Sequence, residues 1–301
     1  MARFIKRITS SKHKIPGTIE FIGKKKVDKS DITLFNYNQS DLIEKELTDI
    51  SESLVMLSDN DVSWININGL HDVDLLSKTS QTFNLHPLLI EDVANTHNTS
   101  TLQIYDDHLF LSIKMIEYDS SKREFSSEQL SLVVGANYVI SFQERPGDCF
   151  SGVRDRLRSN LGRIRKMKSD YLAYALINAI LSNYIEVSEK LTNTDRDVLK
   201  KINDYKVELI YLKRHFRPVK ENLLLLLKAE NNIIRKETKH FYKDLQEISV
   251  AAIEAIENYN ILLSEMLNIY NTMVSLKLND IIKFLTIFST IFIPLTFIAG
   301  I

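Results

Sequence analysis

Short runs in which hydrophobic and polar residues alternate fill the first half of the chain, a pattern typical of strands. These runs cover residues 18–22, 32–37, 62–66, 102–105, 108–118, 129–134 and 138–143. The Gly135-Ala136-Asn137 segment between the last two runs suits a tight hairpin turn. Residues 72–83 have helical apolar spacing, and Pro87 suits the first turn of a second short helix. Strands interspersed with helices predict a sheet covered on its faces by helices.

The second half repeats its apolar residues at steps of three and four, which predicts helices. One helix is predicted over residues 171–199, a turn near Asn203-Asp204, and a second helix from about 207 to 227. The run 223–227 is apolar all round, which predicts burial between helices. The pattern restarts near Thr238 and continues to the end, a length of roughly 90 Å at about 1.5 Å per residue. A rod of this length exceeds one globular domain, so we expect a stalk that packs on copies of itself.

The last 18 residues, 284–301, carry no charge. Because about 20 apolar residues cross the hydrocarbon of a bilayer, this run predicts most of a transmembrane helix. A buried core helix is the alternative. A natural protein rarely ends within such a run without a flanking charge, so we expect the sequence to be a piece of a longer chain.

Polar residues continue along one face of this terminal helix, from the stalk into the apolar run. They are Asn268, Ser275, Asn279, Thr286, Ser289, Thr296 and Gly300. The apolar Ile282, Leu285 and Ile293 lie on the same strip. In an assembly of several copies they would form apolar rings that close the pore by excluding water. The stripe predicts that several copies line a water-filled pore. Simple helix packing, with hydroxyls bonded to their own helix, is the alternative.

Composition narrows the function classes. The net charge is -1 with 26% charged residues, so the chain lacks the overall positive charge that is typical of a nucleic-acid-binding protein. The single cysteine, Cys149, cannot form an internal disulfide, which fits a reducing compartment. The histidines lack zinc-ligand spacing, and the sequence has no Gly-rich phosphate loop or nucleophile motif. We therefore predict that the protein is not an enzyme.

Residues 154–168 hold seven basic residues against one acid, Asp155. The favoured interpretation is a charged face in contact with solvent. A role near anionic lipid or nucleic acid is the alternative, although no interleaved aromatic residues support stacking on single strands.

Five segments resemble the CorA family of magnesium transporters in order and spacing. They are WININGLHDVDLL from Trp64, HPLLIEDVANTH from His86, SEQLSLVV from Ser127, SFQERPGDCFSGVRDRLR from Ser141 and IFIPLTFIAGI from Ile291. The resemblance covers the chain from about Ile15. In the family a Gly-Met-Asn loop follows the last segment within a few residues.

The resemblance implies an α+β fold in four parts. These are an N-terminal α/β/α cytoplasmic domain with a central sheet (1–160), a helical hairpin (161–235), a very long stalk helix (236–283) and a truncated first transmembrane helix (284–301). It also implies a homo-pentamer in the plasma membrane, in contact with lipid, with residues 1 to about 283 in the cytoplasm. Hydrated Mg²⁺ is the implied cargo and regulator. No organic cofactor, nucleic acid or other small-molecule substrate is implied.

The resemblance also implies the regulatory ligands. Asp92 matches the family's aspartate on one protomer, and Asp244 matches its partner on the neighbour. Two carboxylates facing across an interface repel unless a cation lies between them. Without the resemblance, Asp92 would be interpreted as a helix-face acid and Asp244 as a solvated stalk residue. A second position uses Glu91, but Asn178 stands where the family has an acid, so that site should be weak or absent. Asn268 likewise replaces a family acid at the pore mouth.

Two other functions stay open. One is a zinc- or cobalt-moving relative, which would have the same topology. Hydrated divalent ions differ little in charge, and the family's ion-selecting loop is not in this sequence, so this alternative stays open. A membrane-tethered scaffold that conducts nothing predicts a strict apolar seam in the stalk, which Asn268, Ser275 and Asn279 interrupt.

Overall fold

One mixed sheet of seven strands organises the first half of the protein. The computed structural model describes residues 18–119, 124–192 and 198–299. The strands are β1 (Asp31–Tyr37), β2 (Leu42–Leu47), β3 (Val62–Asn68), β4 (Thr101–Ile104), β5 (His108–Asp119), β6 (Glu124–Gly135) and β7 (Tyr138–Gln143). They lie in the order β2-β1-β3-β7-β6-β5-β4. β3 and β7 pair in parallel, and the other strand pairs are antiparallel.

Seven α-helices surround and extend this sheet in the described residues. They are α1 (Glu52–Met56), α2 (Val73–Thr82), α3 (Pro87–Ala94), α4 (Ser151–Arg158), α5 (Ser169–Thr192), α6 (Val198–Lys228) and α7 (Lys239–Ala299). Asp72 caps α2 by accepting a hydrogen bond from the Leu75 amide, and α3 begins at Pro87 as the sequence predicts. These local signals fix where both short helices begin.

Each face of the sheet is covered by helices. On one face Ile65, Phe110 and Ile140 pack against α2 and α3 through residues such as Leu76 and Ile90. The opposite face packs against α4 to α7 through a larger cluster. That cluster includes Trp64, Leu132, Val139, Leu176, Tyr184, Phe216 and Leu245. The α/β/α arrangement predicted for the first half is therefore confirmed, because both faces of the strands are apolar.

Trp64 lies fully buried in the larger cluster. Its ring stacks on Phe35 with a centroid separation of 5.0 Å, and its indole N–H donates to Ser141 Oγ at 2.9 Å. The guanidinium of Arg154 lies 5.1 Å from the Trp64 ring and binds both oxygens of Asp148 at 2.6 Å. The buried ring, the indole hydrogen bond and the contact with Arg154 together hold α4 on this face of the sheet.

Several local predictions were wrong. Residues 18–22 form no strand, and only Ile22 makes a single bridge, with Asn95. Asn203-Asp204 lies inside α6 and makes no turn, because the surrounding helical pattern outweighs two weak helix formers. In the run 223–227, Leu224 and Leu225 are exposed, because α6 buries only one side of this turn.

The basic run also differs from its favoured interpretation, because several of its cations bind other parts of the chain. Arg158 pairs with Glu44 on β2, with its Nη2 2.7 Å from Oε1. The buried Arg165 donates to the carbonyls of Leu157 and Arg158, and Lys168 donates to the carbonyl of Asp59. These contacts anchor α4 and the following turn to the edge of the sheet.

α7 is a single helix of 61 residues. Its first third packs on α5 and α6 through Tyr242, Leu245 and Ile256, whereas every side chain from Asn268 to Thr290 is exposed. Within the three described ranges, no helix is both long and apolar enough to cross a membrane. The partial span predicted over 284–301 includes two positions outside those ranges, and it stays a prediction.

Candidate metal-sensing site and pore helix

Asp92 lies in the last turn of α3 with its carboxylate clamped by two side-chain amides. Asn98 Nδ2 donates to Oδ1 at 2.8 Å, and Gln103 Nε2 donates to Oδ2 at 2.8 Å. Each donor is held in turn. Asn95 Nδ2 donates to Asn98 Oδ1 at 2.8 Å, and the Tyr105 hydroxyl donates to Gln103 Oε1 at 2.6 Å. This chain of amides orients both oxygens of a half-buried carboxylate.

Burial raises the pKa of Asp92 above its ordinary value, and the negative charge of Glu91 raises it further. The hydrogen bonds from Gln103 and Asn98 oppose that rise in pKa. The ionised carboxylate is therefore less well stabilised than it would be in water, and a nearby cation would restore the balance. Hard oxygen ligands of this kind suit Mg²⁺, which retains several of its waters, so the residues present fit that ion.

Asp244 lies on the exposed side of α7, next to α5. Burial raises the pKa of Tyr174 on α5, and the charge of Asp244 adds to that rise. Asp92 belongs to the sheet face covered by α2 and α3, whereas Asp244 belongs to the helices on the opposite face. One chain therefore keeps these two predicted ligands on opposite sides of its sheet.

The second predicted position has its two components on different helices. Glu91 is partly exposed beside Asp92 on α3, and Asn178 is partly exposed on α5. Among the described residues, no three or more His, Cys, Asp or Glu side chains form a group that could hold a metal ion.

The predicted pore stripe follows one side of α7. A shallow groove on this helix is lined by Ile282, Leu285, Thr286, Ser289, Thr290 and Ile293, five of which the sequence places in the stripe. Asn268, Ser275 and Asn279 are exposed nearer the stalk. The Thr286 hydroxyl donates to the Ile282 carbonyl at 2.8 Å, as the alternative of simple packing expects. The side chain of Thr296 and all of Gly300 lie outside the described residues.

Sequence reasoning missed the side chains that support Asp92. Asn98 and Gln103 are polar residues in ordinary loop and strand positions. Gln103 reaches the carboxylate only because β4, through its pairing with β5, lies beside α3. Asn95 and Asn98 could have been suspected from the amide-rich segment directly after Asp92.

The family description "CorA-like Mg²⁺ transporter protein" matches residues 59–301 of the chain. The cobalt/magnesium transport protein CorA of Thermotoga maritima is 34% identical, over 98% of this chain and 88% of that protein. The chain belongs to the CorA-like Mg²⁺ transporter family. Membership confirms the resemblance inferred from the sequence and places the chain among metal-ion transporters.

Solved structures with the same fold support the architecture. The CorA magnesium transporter of Methanocaldococcus jannaschii aligns with a TM-score of 0.68 at 20% identity, over 91% of this chain and 87% of that one. The full-length CmaX protein aligns with a TM-score of 0.74 at 12% identity, over 92% of this chain and 88% of that one. At such identities the likeness concerns the fold alone. It confirms an α+β CorA-type fold with a long C-terminal helix.

Proposed function

We propose that this member of the CorA-like family forms a homo-pentameric channel that carries hydrated Mg²⁺ across the plasma membrane. Residues up to about 283 lie in the cytoplasm, and the end of α7 lies among lipid. Mg²⁺ held between Asp92 of one protomer and Asp244 of the next keeps the pore shut when cytoplasmic Mg²⁺ is high. The observation that carries this proposal is the half-buried, doubly clamped carboxylate of Asp92.

The hydrogen bonds that hold Asp92 support binding of a metal cation from solution. Two amides hold the Asp92 carboxylate in place, yet its pKa is raised, so the ionised form lacks full compensation. Asp244 lies on the other side of the sheet of the same protomer, so its carboxylate reaches Asp92 only from a neighbouring copy. A hydrated Mg²⁺ between the two would cancel their repulsion and draw the protomers together.

The exposed end of α7 supports assembly around a pore. Ile269, Met273, Leu276, Ile281 and Phe284 are each more than half exposed. An apolar surface of this length requires cover by lipid or by further copies of the chain. The polar stripe beside it gives each copy a wettable strip to turn toward a shared axis.

Regulation rests mainly on the position at Asp92. Because Asn178 brings no charge, the second position with Glu91 contributes little. A site of few carboxylates and a largely hydrated ion should have a modest dissociation constant of about 10⁻⁴–10⁻³ M.

Protease resistance of the intact protein across a Mg²⁺ titration tests the regulatory site. We expect Mg²⁺-dependent protection in the parent and its loss in Asp92→Ala and Asp244→Ala. Glu247→Ala is the matched control, because this exposed acid lies on the same helix one turn from Asp244. Full protection in both aspartate variants would show that the ion does not bind between these carboxylates.

Mg²⁺ uptake by reconstituted vesicles tests the pore. Asn268→Leu and Asn279→Leu should each dry the cytoplasmic end of the path and lower flux. Lys277→Leu makes a comparable change on the opposite face of α7 and should leave flux unchanged. Flux equal to that of the parent in all three variants would show that the stripe does not line the pore. Uptake of Zn²⁺ or Co²⁺ in place of Mg²⁺ would favour the zinc- or cobalt-moving function, and absence of any flux would favour the scaffold.

A further inference from the structure

A buried ammonium lies directly beneath the end of α3. Lys114, in the middle of β5, is only 7% exposed. Its Nζ donates to the Thr96 carbonyl at 2.5 Å and to Gln129 Oε1 at 3.2 Å. Among the residues that the structure describes, no carboxylate lies within ion-pair distance of this Nζ. A buried charge held only by neutral oxygens is costly, so a specific role is expected for it.

The two acceptors of Lys114 connect it to both ends of the segment that carries Asp92. Gln129 is fully buried, and its Nε2 donates to the main-chain carbonyl of Asp92 at 2.8 Å. Thr96 follows α3 by two residues and is itself tied to the Ile22 carbonyl. The ammonium also lies near the C-terminal end of α3, where helix carbonyls favour a positive charge. Lys114 thus fixes the backbone, whereas Asn98 and Gln103 fix the carboxylate.

We propose that Lys114 is a positioning residue of the metal-sensing site, which holds the backbone of residues 92–96 so that the Asp92 carboxylate meets the cation in one orientation. The inference rests on the proposed function, because it assigns Lys114 to the same site. It predicts that the charge on Lys114 matters for Mg²⁺ affinity even though Lys114 does not touch the ion.

The surroundings of Lys114 make its charge sensitive to pH. The charged groups that act on Lys114 are Lys26 before β1 and Glu144 after β7, and the charge of Lys114 acts in turn on His215 of α6. From α5, the Tyr184 hydroxyl donates to the Lys114 main-chain carbonyl. Burial lowers the pKa of Lys114 to about 8, with Glu144 opposing that shift and Lys26 adding to it. Above that pH the amine is neutral, and its hydrogen bonds to Thr96 and Gln129 lose their charge assistance.

Protease protection of the intact protein by Mg²⁺, measured at about pH 7 and about pH 9, separates charge from packing. The parent should need more Mg²⁺ at the higher pH. Lys114→Met should need about tenfold more than the parent at pH 7, an effect typical of lost outer-shell support, and should not respond to pH. Lys114→Arg, which stays charged, should keep the parent's pH 7 midpoint at both pH values. Gln129→Met should weaken the response by severing the link to Asp92.

Arg165→Met is the matched control, because Arg165 is also a buried cation bonded to backbone carbonyls, but far from Asp92. It should lower the melting temperature and leave the Mg²⁺ midpoint and its pH dependence unchanged. Equal weakening by Lys114→Met and Arg165→Met would reduce the effect to general stability and overturn the proposal. A parent whose Mg²⁺ affinity rises with pH would also overturn it, because direct repulsion of the ion would then dominate.

Asp92→Ala in the same assay distinguishes this inference from the proposed function. If Asp92→Ala keeps the full Mg²⁺ response, the sensing site itself is wrong. If Asp92→Ala loses the response while Lys114→Met and Gln129→Met keep the parent's midpoint at both pH values, the site stands and Lys114 has no positioning role. If Lys114→Met fails to fold, the proposal is tested by the pH dependence of the parent's Mg²⁺ midpoint and by the midpoint of Gln129→Met.

Discussion

His215 on α6 should make the fold sensitive to acid. Its ring packs edge-on against Tyr211 at a centroid separation of 4.5 Å, beside the fully buried Phe216. Burial, followed by the positive charges of Lys114 and Arg214, lowers the pKa of His215 from 6.5 to about 4. The imidazole is therefore neutral in the folded protein across the physiological range.

The sign of the effect follows from which state binds the proton. Below about pH 6.5 the unfolded chain protonates His215 while the folded chain does not, so the free energy of unfolding declines as pH falls toward 4. The difference between 6.5 and about 4 corresponds to about 3 kcal/mol at 1.36 kcal/mol per unit. Because the ring is partly exposed, screening reduces this to about 2 kcal/mol.

Urea unfolding followed by the fluorescence of Trp64 measures this loss, since Trp64 is the single tryptophan and shares its cluster with Phe216. The parent should lose about 2 kcal/mol more than His215→Leu between about pH 7 and pH 4. His97→Leu, at an exposed histidine, should follow the parent. Parallel curves for the parent and His215→Leu would refute the assignment.

Substitutions at Asp170 and Gly69, each with a milder comparison variant, test the scaffold by the same urea assay. Asp170 is fully buried and accepts hydrogen bonds from the Arg235 amide at 3.0 Å and from its guanidinium at 3.2 Å, so Asp170→Ala should cost about 3 kcal/mol and Asp170→Asn clearly less. Gly69 has φ +97°, and an added Cβ would lie 2.6 Å from Ser30 Oγ, so Gly69→Ala should cost about 2–3 kcal/mol. Gly147→Ala, at φ +104° but in open space, should cost only about 1 kcal/mol, and equal losses would contradict the steric argument.

Elements with strong local signals could be predicted from the sequence. β7 and the start of α3 were placed because alternation, a tight hairpin and Pro87 act over a few residues. β2 was missed because it is an edge strand whose polar residues resemble a loop. The turn near Asn203-Asp204 was wrong because a long helix tolerates weak formers when its apolar stripe continues.

The candidate site was predictable only in part. Asp92 and Asp244 were found through the family resemblance, and their assignment to metal binding stays a prediction. Gln103, Lys114 and Gln129 were not found, because each lies in a strand where a polar residue suggests a solvent-facing position. Only the packing of α3 and the following residues beside β4, β5 and β6 gives these side chains their partners, and no periodicity within one segment reports that contact.

The charged surface of β2 protects one edge of the sheet from pairing with a foreign strand. β2 forms one edge of the sheet, and it exposes Glu44, Lys45 and Glu46 in succession, with Glu44 already paired to Arg158. A foreign strand adding to this edge would have to strip water from three consecutive charges. The exposed apolar part of α7 is a second surface through which copies could associate. The charged edge therefore disfavours strand-by-strand aggregation through the sheet.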